Sequence, residues 1–158
     1  MTAGHVRAAN VDDLVKVLRA LQQENVDYLL IGGFALWTLG YQRATTDIDI
    51  LLRPTLEQGI RLKRALLMLP EQAAKDLDPQ WFVEAATIRV ADEFVVDVMF
   101  NACGETYESL QPYAVTIDFD GLAVRTVNLE GMLKTKQTSR EKDKLDRMIL
   151  ERAIQNQK

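Results

Sequence analysis

Cysteine and histidine are nearly absent from this chain, with one of each. A lone Cys103 excludes an intramolecular disulfide, and a reducing cytoplasmic setting is the simplest expectation. With no partner, that thiol is expected to be inert, in the core or near the surface. His5 stands in a polar N-terminal stretch with no His, Cys or acid at ligand spacing. It is expected to be exposed, and no zinc spacing is present. No nucleophilic Ser or Cys dyad is visible either. No apolar run approaches the roughly 18–20 residues that a membrane-crossing helix needs, so no membrane partner is expected. Met1 to Asn10 lacks the apolar segment of a signal peptide. The Gly-x-x-x-x-Gly-Lys-Ser/Thr and Gly-x-Gly-x-x-Gly patterns are missing, which excludes a P-loop and leaves a dinucleotide fingerprint unsupported. Repeats, low-complexity tracts and interdomain linkers are absent too.

What remains is an ordinary globular composition, 47% apolar and 27% charged over 158 residues. It suits one domain spanning 1–158, with a core over about 26–127 and C-terminal helices over about 129–154. The net charge of −4 argues against generic binding to a nucleic-acid backbone. That charge is unevenly spread. Arg125 to Lys158 holds nine Lys/Arg against five Asp/Glu, a local +4, and leaves −8 on the rest. A basic C-terminal segment facing an acidic body suits phosphate-binding cations opposite a carboxylate centre, or simply a solvated helix.

Apolar residues at 11, 14, 15, 17, 18 and 21 predict a helix over Val11–Glu24, with Asn10 as its N-cap. A strand is expected over Val26–Ile31, a Gly32-Gly33 break, and a short helix over Phe34–Leu39. A second strand over Thr46–Leu52 stops at Pro54. A helix follows over Thr55–Leu69, and Glu71–Trp81 reads as polar and irregular, with room for a short helical turn. Ala86–Val90 and Phe94–Phe100 read as strands joined at Ala91-Asp92-Glu93. Tyr113–Ile117 and Leu122–Val127 form a hairpin around Asp118 to Gly121. Asn128 is expected to cap a helix over Leu129–Thr138, and a last helix runs from about Ser139 to Ile154. The class is α+β (α/β mixed), a mixed sheet flanked by helices with a C-terminal helical segment.

Against this background Asp47-Ile-Asp-Ile50 stands out, two carboxylates in a segment that otherwise reads as a buried strand. Residues i and i+2 of a strand share a face, so Asp47 and Asp49 are expected side by side. Like charges that close call for a cation, and Mg²⁺ (or Mn²⁺) with its preference for hard oxygen ligands is the economical one. Asp97 repeats the anomaly within Phe94-Val-Val-Asp-Val-Met-Phe100. An unpaired buried Asp costs several kcal/mol. It either joins the other two acids at a metal or pairs with Arg89 on the adjacent strand. The Gly32-Gly33 turn between a strand and a helix start offers backbone amides to a phosphate, although such a turn alone is weak evidence.

Gly32, Gly33, Asp47, Asp49 and Asp97, taken in order, spacing and strand context, resemble the nucleotidyltransferase superfamily with its DNA polymerase beta-like core. The resemblance spans roughly residues 26 to 100. The run from Leu129 to Lys136, then Arg140-Glu-Lys-Asp143-Lys-Leu-Asp146, looks more loosely like the corresponding segments of small toxin-type and resistance-type members. Gly33 departs from the Ser that many relatives carry there. The resemblance implies Mg²⁺ held by Asp47 and Asp49 against a nucleoside triphosphate, and a second metal completed by Asp97. It implies attack of an acceptor hydroxyl on the α-phosphorus and loss of pyrophosphate. Lys136 is the implied triphosphate contact, with Lys134 and Arg140 in reserve. Arg43 would touch phosphate or balance the acids, and Thr45 would orient Asp47 or serve the strand. The acceptor is open among small molecules, RNA and protein, and a homodimer or partner protein is possible for so short a chain. The competing reading is a catalytically silent module that binds a nucleotide or a partner, as half of a toxin–antitoxin pair.

Three further expectations concern packing. Leu145, Met148 and Ile149 are expected to form the core stripe of the last helix, with Asp143 and Asp146 on another face and Lys142 paired to Asp146. Trp37 would stack on a base or, more simply, fill core. Trp81 and Phe82 would cover the sheet or line an acceptor pocket.

Overall fold

The computed structural model describes residues 6–157, so the expectation for His5 lies outside the described residues. Helix α1, Val11–Gln23, starts on the expected cap. The Asn10 side chain accepts from the Asp13 amide and the Asp13 side chain accepts from the Asn10 amide, each at 2.9 Å. This reciprocal pairing satisfies two otherwise orphaned donors. Leu14, Val17, Leu18 and Leu21 form its buried face.

Strands β1 (Tyr28–Ile31), β2 (Ile48–Leu52), β3 (Ile88–Ala91), β4 (Val95–Met99), β5 (Ala114–Phe119) and β6 (Leu122–Val127) make one six-stranded sheet in the order β3-β4-β2-β1-β6-β5. It is mixed: β1 runs antiparallel to β2 but parallel to β6, β2 runs parallel to β4, and β3–β4 and β5–β6 are antiparallel hairpins. The alternation of side chains sorts the central strands. Ile48, Ile50, Val96 and Val98 are fully buried, and Asp49 and Asp97 emerge from between them on the opposite face.

Helix α2 (Gly32–Thr38) packs on β1, β2 and β6, and α1 packs on α3 (Leu56–Leu66). A 3₁₀ turn (Ala73–Asp76) lies within the Glu71–Trp81 stretch, and a short α4 (Gln80–Glu84) starts at its end and places Phe82 edge-to-face on Phe100, with centroids 5.6 Å apart. Helix α5 (Leu129–Lys134) is capped by Asn128, whose side chain accepts from the Gly131 amide at 2.9 Å. The architecture is the expected mixed α+β sheet flanked by helices, closed by α6 (Glu141–Asn156). Among the described residues no helix is long and apolar enough to cross a membrane.

Two boundaries move in ways that matter. Strand β2 starts at Ile48, so Asp47 sits just before it and only Asp49 holds a paired strand position. Helix α5 stops at Lys134 instead of reaching Thr138. There Thr135 turns back, its hydroxyl donating to the Met132 carbonyl at 2.7 Å, and Lys136 is delivered inward.

Candidate active site

The sheet register brings the acids together. Asp49 on β2 lies directly beside Asp97 on the parallel strand β4, and Ile31 at the end of β1 lies beside Asp49 on the other side. The chain therefore turns into α2 at Gly32, against the Asp49 carboxylate. A Cβ at Gly32 would stand 2.3 Å from Asp49 Oδ2, and its φ of +77° is one that glycine adopts freely. Gly33 is hemmed in differently. A Cβ there would meet Thr45 Oγ1 at 2.5 Å, so the threonine fills the space a side chain at this position would need. Thr45 thus packs over the glycine turn, and its hydroxyl makes no hydrogen bond to Asp47 among the described residues.

Asp47, Asp49, Asp97, Gly33, Arg43, Thr45, Lys136 and Arg140 line one cavity of about 470 Å³, together with Arg89 and Lys142. Burial pushes the Asp49 carboxyl up, and repulsion from Asp97 and Asp47 outweighs the opposing pull of Lys136 and Lys142, to about 7. A carboxyl in that state calls for more positive charge than it has. Asp97 is held by Arg89, directly opposite it on β3: Nε donates to Oδ1 at 2.9 Å and an Nη to Oδ2 at 3.2 Å. The same guanidinium comes within 3.5 Å of Asp47. The pair weighed from sequence is therefore present, on the same Asp97 that lies beside Asp49. Among the described residues no three acid, His or Cys side chains gather as a ready-made metal cage. The donors do fit a hard divalent ion in kind, being carboxylate oxygens with a guanidinium cation already lodged between two of them.

The opposite wall comes from the α5–α6 connection. Lys136 is buried and its Nζ sits 3.0 Å from Asp146 and 3.7 Å from Asp143, both fully buried on α6. Arg43 pairs with the same Asp146 at 2.7 Å, tying the loop before β2 to α6. Trp37 steadies that loop from below: half-buried against the core, it donates from Nε1 to the Arg43 carbonyl at 2.8 Å. Burial would raise the Asp143 carboxyl, but hydrogen bonds from Thr138 and Arg140 and the Lys136 charge hold it below the usual carboxylate range. Arg140 Nε donates to Asp143 at 2.9 Å, and Arg147 donates to the Thr138 carbonyl at 2.7 Å.

This overturns the expected facing of α6. Leu145, Met148 and Ile149 are exposed, and Asp143, Asp146, Leu150 and Ala153 face inward. Asp146 pairs with Lys136 and Arg43 rather than with Lys142, which lines the cavity. Two buried carboxylates are tolerable because two cations from distant segments neutralise them. Lys134 points elsewhere, its Nζ 5.3 Å over the Tyr113 ring. Trp81 is exposed and Phe82 fully buried, and neither lines the cavity. Cys103 is an exposed thiol. Ala44 and Thr46 also line the cavity, as do Thr87 and Met99. The one sequence signal for the latter two was alternation along β4 and the segment leading into β3.

No protein-family model and no curated protein matches the chain. Among solved structures, the fold resembles a crystal structure of a provisionally assigned nucleotidyltransferase from Thermotoga maritima. The TM-score is 0.56 at 15% identity, over 96% of this chain and 98% of that one. At that identity the likeness is one of fold, and the chain has a nucleotidyltransferase-like fold: a six-stranded mixed sheet flanked by helices and closed by a C-terminal helix.

Proposed function

We propose that this one-domain protein is a nucleotidyltransferase, moving a nucleoside monophosphate from a nucleoside triphosphate to an acceptor hydroxyl with release of pyrophosphate. The observation that carries the reading is the pairing of Asp49 with Asp97 in adjacent parallel strands, with Asp47 beside them and a cationic wall opposite. Asp47, Asp49 and Asp97 would hold Mg²⁺ or Mn²⁺, which when bound neutralises phosphate charge and activates the acceptor oxygen. The chain's own side chains do the rest. Lys136, held by Asp143 and Asp146, would present its ammonium to the triphosphate. Arg140, exposed at the rim, would supply a second phosphate contact, and Gly33 lines the same cavity. Arg43 serves mainly to lock the loop that carries Asp47 onto α6. The acceptor would lose its proton to Asp97, once Arg89 has left it, or to water on the metal. A carboxyl held near neutrality at Asp49 becomes a good ligand when a dication replaces the missing counter-charge.

A second reading has one observation in its favour. Arg89 already neutralises Asp97 and approaches Asp47, as it would in a silent module that never takes up metal. Thermal unfolding separates the two. Mg²⁺ with a triphosphate should raise the melting temperature by ligand linkage, and the Asp47→Asn, Asp49→Asn double variant should lose that shift. An undiminished shift in the double variant would falsify the metal-site assignment. No shift in the unaltered protein would favour the silent module.

A further inference from the structure

Arg89 belongs to an edge strand whose neighbours Ile88 and Val90 are buried, so the strand is anchored while the Arg89 side chain is free to turn outward. About 64% of that side chain is exposed, and its only hydrogen bonds among the described residues are the two to Asp97. Lys142 also lines the cavity without an ion pair among the described residues, and the remaining three cations differ. Lys136 and Arg43 are fixed to buried carboxylates of α6, and Arg140 to Asp143. Arg89 alone contacts the two carboxylates that flank Asp49, at 2.9 Å and 3.5 Å.

We propose that Arg89 is a tethered counter-cation that holds the place of a divalent ion between Asp97 and Asp47 and competes with that ion for them. The inference rests on the metal-dependent reading above. A guanidinium fork matches a carboxylate in two parallel hydrogen bonds, so it neutralises Asp97 beside Asp49 in the metal-free protein. The two cations cannot share the same oxygens. A divalent ion alone must displace the fork. An ion arriving with a triphosphate displaces it more readily, because phosphoryl oxygens offer the released guanidinium a new anionic partner at the cavity mouth. Arg89 is thus a positioning residue that makes metal uptake depend on nucleotide.

The test is a Mn²⁺ titration of the full chain without nucleotide at neutral pH, read by the electron paramagnetic resonance signal of free Mn²⁺. Arg89→Gln removes the competitor at an exposed position while keeping length and polarity. Its Kd for Mn²⁺ should fall about two- to fivefold, the loss of one well-formed but exposed ion pair. Arg89→Lys keeps the charge without the fork and should fall between the two, and it carries the test should the Gln variant fail to fold. Adding a non-hydrolysable triphosphate should narrow the difference between unaltered protein and Arg89→Gln. An unchanged or weaker Kd in Arg89→Gln overturns the inference. If unaltered protein and variant bind Mn²⁺ equally, and Asp47→Asn with Asp49→Asn abolishes the binding, only the role of Arg89 falls. If none of the proteins binds Mn²⁺ with or without nucleotide, the metal-dependent reading falls with it.

Discussion

Replacing Asp49 with Asn should stabilise the metal-free protein, and by an amount that grows with pH. The Asp49 carboxyl is pushed up from its ordinary 3.8 to about 7, first by burial, then by repulsion from Asp97 and Asp47 against the attraction of Lys136 and Lys142. Between pH 4 and 7 the folded state keeps this proton while the unfolded chain has released it. Stability is therefore lost progressively as pH rises through that window and levels off above about pH 7. A difference of about 3 in pKa corresponds to a ceiling of ~4 kcal/mol. Water entering through the cavity mouth lowers the expected figure to on the order of 2 kcal/mol. Asn is nearly isosteric and never ionises, so the variant escapes the penalty. Urea unfolding in the presence of a chelator, at pH 5, 6, 7 and 8, gives the gap between the two proteins directly. It should be small at pH 5, widen to pH 7 and then stay constant. A gap independent of pH, or a variant less stable at pH 8, would refute the electrostatic reasoning. The proposed function would account for the unfavourable charge, since a dication at the site would reverse the sign of the effect.

Two further variants test the packing of α6. Asp146→Ala leaves Lys136 and Arg43 without their shared buried partner and should cost about 3–5 kcal/mol by chemical denaturation; a cost below about 1 would show the cluster to be solvated. Met148→Ser should change stability by less than about 0.5 kcal/mol, because its side chain is exposed; a loss of 2 kcal/mol or more would return it to a buried face.

The course of the backbone was legible because local signals agreed. Each of the six strands was expected within about two residues, and Asn10 and Asn128 cap the helices they were expected to cap. The convergence of Asp47, Asp49 and Asp97 was legible for a different reason. Charged residues within apolar strands are costly wherever they sit, and strand alternation already put them on the face opposite Ile48 and Ile50. The orientation of α6 was not legible. Leu145, Met148 and Ile149 form one stripe at helical spacing, and Asp143, Asp146, Leu150 and Ala153 form another. Periodicity cannot rank the two stripes. The choice is made by Lys136 and by Arg43, which is 103 residues from Asp146 in sequence, and no local pattern carries that pairing. Arg89 shows the same limit in reverse. Its partner was foreseeable from the hairpin, but its approach to Asp47 depends on β4 lying beside β2.

The central claim is transfer of a nucleoside monophosphate, and an isotope placed on the α-phosphate reads it most directly. Protein, Mg²⁺ and each α-labelled triphosphate in turn would be incubated with a cell extract, and protein, RNA and small-molecule fractions scored for label. Covalent label is expected in one fraction, absent when the γ-phosphate carries the isotope and absent with the Asp47→Asn, Asp49→Asn variant. Label transferred from the γ-phosphate, or equal labelling by the double variant, would contradict the claim.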